Sequence, residues 1–426
     1  MKISPSKTAA LLVPLGIGLS FVTPVLLSSA TAFTVRMPMV LAILSGICIA
    51  LFGAHLYKLE WRWVSLLSLY ILLNLVACFT VTSNSSQSFF DLGRQFFIAI
   101  FSIGLMLVLR RQETRLALYK GAAFAASIGL ALIMLLYLQQ YGFSLQLSSL
   151  DNFKYLVVER YGLPLNPLSF ATTLCALLSF PLWRQSRLVA GCGVSAILVS
   201  LVLSGSRTSL VSFLLTIVLF LAVVFVRRLA PPLRLASLSV LIGTSVIGFA
   251  NLSLSGINID PTKASEVTTG RLDLWVAAWQ KFLERPLFGW GAYTWNENLS
   301  LYLPGYAYYS QGLIELEAGA FHNMYLTVLA EKGLLVFTAA MLLLVTLLSV
   351  SWSVYDKRST LPELDGRSAL VAPFLVFLLL VRGLGEQPGL FGYASGSVDF
   401  LSYVIAASIF ALANAHAVQG FRSKNG

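Results

Sequence analysis

Apolar stretches of about twenty residues alternate with short polar breaks along this chain, and a helix of that length crosses about 30 Å of hydrocarbon. About twelve such spans occur, at residues 8–28, 37–55, 62–81, 93–110, 116–138, 163–183, 187–204, 209–226, 235–254, 324–351, 368–384 and 394–414. The first follows Lys2 and Lys7 and ends near the small residues Ser28 to Ala32, a layout shared with cleaved signal peptides. Its apolar core is longer than a signal core of roughly 7–15 residues, so it is read as a retained helix.

One polar interval is long. Residues 255–323 contain no span-length apolar run, but Leu272, Trp275, Val276, Trp279, Phe282 and Leu283 recur at helical spacing, with Asp273, Gln280 and Lys281 on the other side. This pattern predicts an amphipathic helix from Arg271 to Phe282, lying at the membrane interface or on top of the bundle. Pro286 and the Gly289-Trp290-Gly291 turn stop it. A further short helix is expected from Leu313 to Ala320. The expected fold is an all-α polytopic membrane protein of about 12 transmembrane helices with one large helical outer loop. Its parts are 1–254 with spans one to nine, 255–323 as the loop, and 324–426 with spans ten to twelve and a tail.

Composition agrees: 57% of the 426 residues are hydrophobic and 11% charged, which excludes an ordinary soluble domain. The net charge of +11 invites a nucleic-acid reading, but its distribution opposes one. Arg110, Arg111 and Arg115, then Arg184 and Arg187, then Arg227, Arg228 and Arg234, then Lys357, Arg358 and Arg367 fall in loops that all become cytoplasmic when both termini are placed inside. The basic charge then records orientation, and anionic membrane lipids are a sufficient partner. Cys48, Cys78, Cys175 and Cys192 lie within spans without metal-ligand spacing and are read as packing residues. No phosphate-loop motif is present and Glu315-x-Glu317 is a weak metal motif, so no metal or other cofactor is expected.

On this topology three polar clusters share the extracytoplasmic side: Gly205-Ser206-Arg207-Thr208, Thr269-Gly270-Arg271-Leu272-Asp273, and Phe321-His322-Asn323-Met324-Tyr325. Arg207, pinned in a very short loop, is either an interfacial anchor or a phosphate ligand beside hydroxyls and a helix N-terminus. Arg271 either caps its helix with Asp273 or completes an anion clamp. Two forked guanidiniums from separate segments suit a pyrophosphate, because each binds phosphate oxygens bidentately. His322 is a structural hydrogen-bonder or a general base. Auxiliary candidates are Arg160, Asn323, and the Arg382 and Glu386 pair at the end of the eleventh span, where charge near the membrane marks a site or a structural bridge. Tyr302, Tyr306, Tyr308 and Tyr309 either stack on sugars or form an interfacial belt.

The run Ser204-Gly-Ser-Arg-Thr-Ser-Leu210, then Gly270-Arg-Leu-Asp-Leu-Trp275 leading to Arg285-Pro-Leu-Phe-Gly-Trp-Gly291, then His322-Asn-Met-Tyr-Leu-Thr-Val-Leu-Ala-Glu-Lys-Gly333, resembles the O-antigen ligase and Wzy-type polysaccharide polymerase superfamily. The motifs cover the second half of the chain, and the ligases are the nearer likeness. The resemblance implies a GT-C-like fold in a bacterial inner membrane, a periplasmic site, and a donor glycan on undecaprenyl pyrophosphate. It assigns donor pyrophosphate binding to Arg207 and Arg271 and acceptor activation to His322. The implied reaction is metal-independent and inverting, with lipid A-core as acceptor for a ligase or a growing polysaccharide for a polymerase. A lipid-linked glycan transporter is the competing class, and it would place polar groups near the bilayer midplane.

Overall fold

The structure, a computed structural model, describes residues 61–80, 85–142, 165–203, 206–228, 271–294, 299–302, 321–386, 391 and 401–414. Among these residues the secondary structure is entirely helical. The elements are α1 (Trp61–Thr80), α2 (Ser85–Val108), α3 (Gln112–Tyr141), α4 (Leu165–Leu178), α5 (Arg187–Leu203), α6 (Arg207–Arg228), α7 (Arg271–Glu284), the one-turn α8 (Leu299–Tyr302), α9 (Met324–Asp356), α10 (Glu363–Gly383) and α11 (Leu401–Asn414). α1, α2, α3, α6, α9 and α10 are each long and apolar enough to cross a membrane, so the chain is a multi-pass membrane protein. Nine of the expected spans coincide with described helices, while the first, second and ninth lie outside the described residues.

Several helix ends differ from the sequence reading by five residues or more, and two of the differences have a local cause. The interval 82–92 was expected to be a loop, yet α2 starts at Ser85. Its polar residues are carried inside by pairing: Asp91 accepts from Arg94 at 3.0 Å, from Gln95 at 3.0 Å and from Lys332 of α9 at 2.7 Å. A buried charge is tolerated when its hydrogen-bonding capacity is met. The expected span 163–183 ends as an α-helix at Leu178 and finishes in a 3-10 turn, Phe180–Leu182, because Pro181 offers no amide to continue the helix.

Small residues let the helices approach closely, as packing in a bilayer requires. A Cβ on Gly129 of α3 would lie 2.2 Å from Thr172 Oγ1 of α4, and one on Gly193 of α5 would lie 2.7 Å from Trp183. At one end of the bundle, ion pairs join the helix termini. Arg115 grips Asp365 through Nε at 2.8 Å and Nη2 at 2.5 Å, Arg227 pairs with Asp356, and Arg367 donates to Pro181 O at 3.2 Å.

The longest helix, α9, is broken at Gly333, whose φ of 77° and ψ of 178° are non-helical. In a regular helix Leu334 N would donate to Ala330 O. Instead Leu334 N donates to Pro286 O at 2.7 Å, while Ala330 O and Glu331 O accept from Trp290 N at 3.1 Å and Gly291 N at 2.8 Å. The turn after α7 therefore plugs the break and replaces the missing backbone bonds, as an apolar surrounding demands. The plug is held in turn by Arg285 over the Trp290 ring at 4.1 Å and by Trp290 Nε1 donating to Lys281 O at 2.8 Å.

α7 forms as expected but turns differently. Its buried face is Asp273, Leu274, Ala277, Ala278, Lys281 and Phe282, whereas Leu272, Val276, Trp279 and Leu283 are exposed. Asp273 and Lys281, expected to face outward, are thus inside, whereas Gln280 stays exposed. Ala277 and Ala278 permit close packing on α9, Lys281 Nζ donates to Thr294 O at 2.6 Å, and the bulky apolar stripe is left for an apolar surrounding.

Candidate active site

The site lies at the end of the bundle opposite those terminal ion pairs, where α6 and α9 begin and α10 ends. Arg271, the first residue of α7, reaches across to both neighbours instead of capping its own helix with Asp273. Nη1 donates to Thr208 Oγ1 at 2.7 Å and to Gly385 O at 2.5 Å, and Nη2 donates to Glu386 Oε1 at 3.1 Å. Its contacts with described residues occupy three of the five N–H groups of a guanidinium, which leaves Nε and one Nη2 hydrogen for a ligand. Gly385 is needed for this closeness, because a Cβ there would stand 2.5 Å from Thr208 Cγ2.

Glu386 is the centre of the arrangement. It is buried, with Oε1 on Arg271 and Oε2 3.5 Å from His322 Nδ1. Burial alone would raise its carboxyl, but the His322 contact and the positive charges of Arg382 and Arg271 overcome this and hold it at about 2, against an ordinary 4.5. A folded value below the unfolded one means that Glu386 stabilises the fold above pH 4.5 and that this contribution is lost as pH falls toward about 2. Melting of the wild type in detergent should therefore drop across that interval by more than melting of Glu386→Gln. Parallel curves would show that the charge does not hold the site together.

His322 sits just before α9 with φ of 51°, a left-handed conformation that non-glycine residues seldom adopt. The next residue explains how it is held. Asn323 Oδ1 accepts from Tyr325 N and Leu326 N, both at 3.0 Å, capping α9, while its Nδ2 donates to Leu384 O at 3.0 Å. Tyr325 Oη adds a bond to Leu380 O at 2.8 Å. These contacts fasten the start of α9 to the end of α10 and bring His322 beside Glu386. With Nδ1 turned to the carboxylate, Nε2 is the ring nitrogen left for chemistry.

Arg271, His322, Arg382 and Glu386 are thus gathered at one end of α10, and Asn323 positions its neighbour. Arg382 is buried with its guanidinium 3.9 Å from the Phe170 ring centre. Arg207 begins α6, next to the Thr208 that Arg271 holds, and Ser206 Oγ accepts from Ser209 N at 3.2 Å to cap that helix. The Arg207 side chain and all of Arg160 lie outside the described residues, as do Tyr306, Tyr308, Tyr309, Glu315, Glu317 and the segment Leu313 to Ala320. Tyr302 donates to Glu284 Oε2 at 2.6 Å, and burial together with that carboxylate pushes its hydroxyl up to about 12. Among the described residues no cluster of three or more His, Cys, Asp or Glu side chains could hold a metal ion.

Sequence reasoning paired Glu386 only with Arg382 and missed Thr208, Gly385 and Glu386 as Arg271 partners. The available signal was Arg382-Gly-Leu-Gly-Glu386, a cation and an acid separated by glycines at the end of an apolar span. No curated protein matches the chain. Residues 192–341 match the O-antigen ligase family model, Wzy_C, a family of membrane glycosyltransferase-like enzymes that transfer lipid-linked glycans as ligases or polymerases.

Proposed function

We propose that the protein transfers a glycan from undecaprenyl pyrophosphate to a sugar hydroxyl of lipid A-core on the periplasmic face of a bacterial inner membrane, as an O-antigen ligase with a GT-C-like arrangement of helices. The observation that carries this reading is Glu386, placed between Arg271 and His322, so that an anion-binding group and a proton acceptor face one space. The matched segment contains Arg207, Arg271 and His322 and ends before Arg382 and Glu386.

In the proposed reaction the acceptor hydroxyl oxygen attacks the anomeric carbon of the donor sugar. His322 Nε2 takes the hydroxyl proton, and the bond between the anomeric carbon and the pyrophosphate oxygen breaks with its electron pair leaving on the pyrophosphate. The Nε edge of Arg271, with Arg207 from the start of α6, holds that developing charge. Pyrophosphate needs no proton in order to leave, so one displacement suffices and the anomeric configuration inverts. Glu386 keeps Arg271 and the imidazole in register, and its negative charge stabilises the imidazolium as the proton arrives. The lipid tail remains in the bilayer while its sugar reaches the site.

The test is transfer by purified protein, with chelator present, from a lipid-pyrophosphate glycan to lipid A-core. Arg271→Lys keeps one charge but not the fork that serves Thr208, Gly385 and Glu386 together. It is expected to lose about 10²-fold in rate, the order of removing one preorganised donor from developing negative charge. Full activity in this variant would remove Arg271 from the donor site. Lengthening of the donor glycan without transfer to core would make the protein a polymerase, and neither product would favour a transporter.

A further inference from the structure

The two helices that start at the candidate site, α6 and α9, also meet at their far ends, about 33 Å away along the 22 residues of α6. There Phe220 stacks on Trp352 at 5.9 Å between ring centres, and the Arg227 guanidinium lies 4.6 Å from the Trp352 ring centre while pairing with Asp356. Beside this contact is an open groove of about 490 Å³ lined by Arg227, Leu348, Ser349, Trp352, Ser353, Asp356 and Lys357. It lies at the opposite end of the helices from the site and takes no part in the proposed reaction.

The lining has the chemistry of a lipid head-group site. A tryptophan and an arginine at the end of a membrane-spanning helix mark the level where acyl chains give way to water. Arg227 and Lys357 supply two positive charges, and the Ser349 and Ser353 hydroxyls, one helical turn apart, add donors suited to phosphate oxygens. A bare anion does not account for the whole groove. Asp356 pairs with Arg227 and directly precedes Lys357, and both helices end here, so their carbonyl ends give the groove a negative pole. A ligand carrying a phosphodiester and an ammonium answers both parts. We propose that this groove binds the head group of a membrane phospholipid with a primary amine, its phosphate on Arg227 and Lys357 and its ammonium on Asp356. Such a lipid would pin α6 against α9 at the end remote from the site.

The experiment is native mass spectrometry of the full chain released from nanodiscs of phosphatidylcholine doped with phosphatidylethanolamine or, separately, with phosphatidylglycerol. Phosphatidylethanolamine is expected to remain bound in preference to both other lipids. Lys357→Gln should lower its retention by about tenfold, the size of one lost charge-assisted bond. Asp356→Asn should instead abolish the preference over phosphatidylglycerol while leaving phosphate binding. Equal retention of the three lipids by wild type would overturn the proposal without reference to any variant. So would displacement of phosphatidylethanolamine by inorganic phosphate, which would make the groove a free-anion site. Unchanged melting of both variants in detergent separates loss of the lipid from loss of the fold.

Discussion

Replacing His322 by asparagine is expected to leave the protein folded and to lower glycan transfer by about 10²–10⁴-fold, the usual contribution of a general base. Asparagine is the informative substitute because residue 322 adopts φ of 51°, and asparagine enters that region more readily than alanine. It retains a polar group beside Glu386 but cannot accept the acceptor's proton. Single-turnover transfer measured alongside melting separates the two effects. A variant that melts normally and transfers at the wild-type rate would show that His322 only organises the start of α9. If the base reading holds, the loss should lie in kcat more than in KM, because the proton moves only as the transition state is reached.

The second large effect concerns folding. Gly333→Ala is expected to prevent recovery of a monodisperse protein, because a Cβ at residue 333 would meet Leu287 O at 2.3 Å and Leu287 C at 2.4 Å. These are backbone atoms of the plug, and they cannot swing aside as a side chain would. The conformation compounds the clash: φ of 77° with ψ of 178° is almost confined to glycine and costs another residue about 1–3 kcal/mol before any contact is counted. Gly289→Ala should fail in the same way from the other side, where a Cβ would lie 2.3 Å from Glu331 C with φ of 69°. Gly191→Ala in α5, where a Cβ meets nothing within 4 Å, is the matched control and should melt at or above the wild-type temperature. Size-exclusion profiles and melting in detergent decide the matter, and a well-folded Gly333→Ala protein would mean that the break in α9 does not depend on this close approach.

The motif residues therefore have two kinds of work. Arg271 and His322 carry the candidate chemistry, whereas Arg285, Gly289, Trp290, Gly291 and Gly333 join α7 to the broken helix. Nothing in the spacing of these residues distinguishes the two roles. Gly289 and Gly333 are separated by more than forty positions, and only their packing reveals that Gly289 makes room for the backbone of Glu331 and Lys332, and Gly333 for that of Leu287 and Phe288. α7 makes the same point. Its helical period was readable, but the face it buries was not, because Asp273 and Lys281 enter the interior only once partners are available there.

By itself the sequence determined that this is an α-helical membrane protein, where nine apolar helices lie with ends displaced by up to eight residues, and which short motifs deserved attention. Local physics is enough for this: a segment in hydrocarbon must satisfy its own backbone, so a run of about twenty apolar residues has little choice but a helix. Only the tertiary structure decided that α9 breaks at Gly333, that α7 turns its apolar stripe outward, and that Glu386 joins the two groups of the candidate site. Arg271 meets its three partners across 63, 114 and 115 residues of chain. At such separations the energy of a contact depends on how helices pack around small residues and on which buried charges find each other, and neither is written in any local pattern.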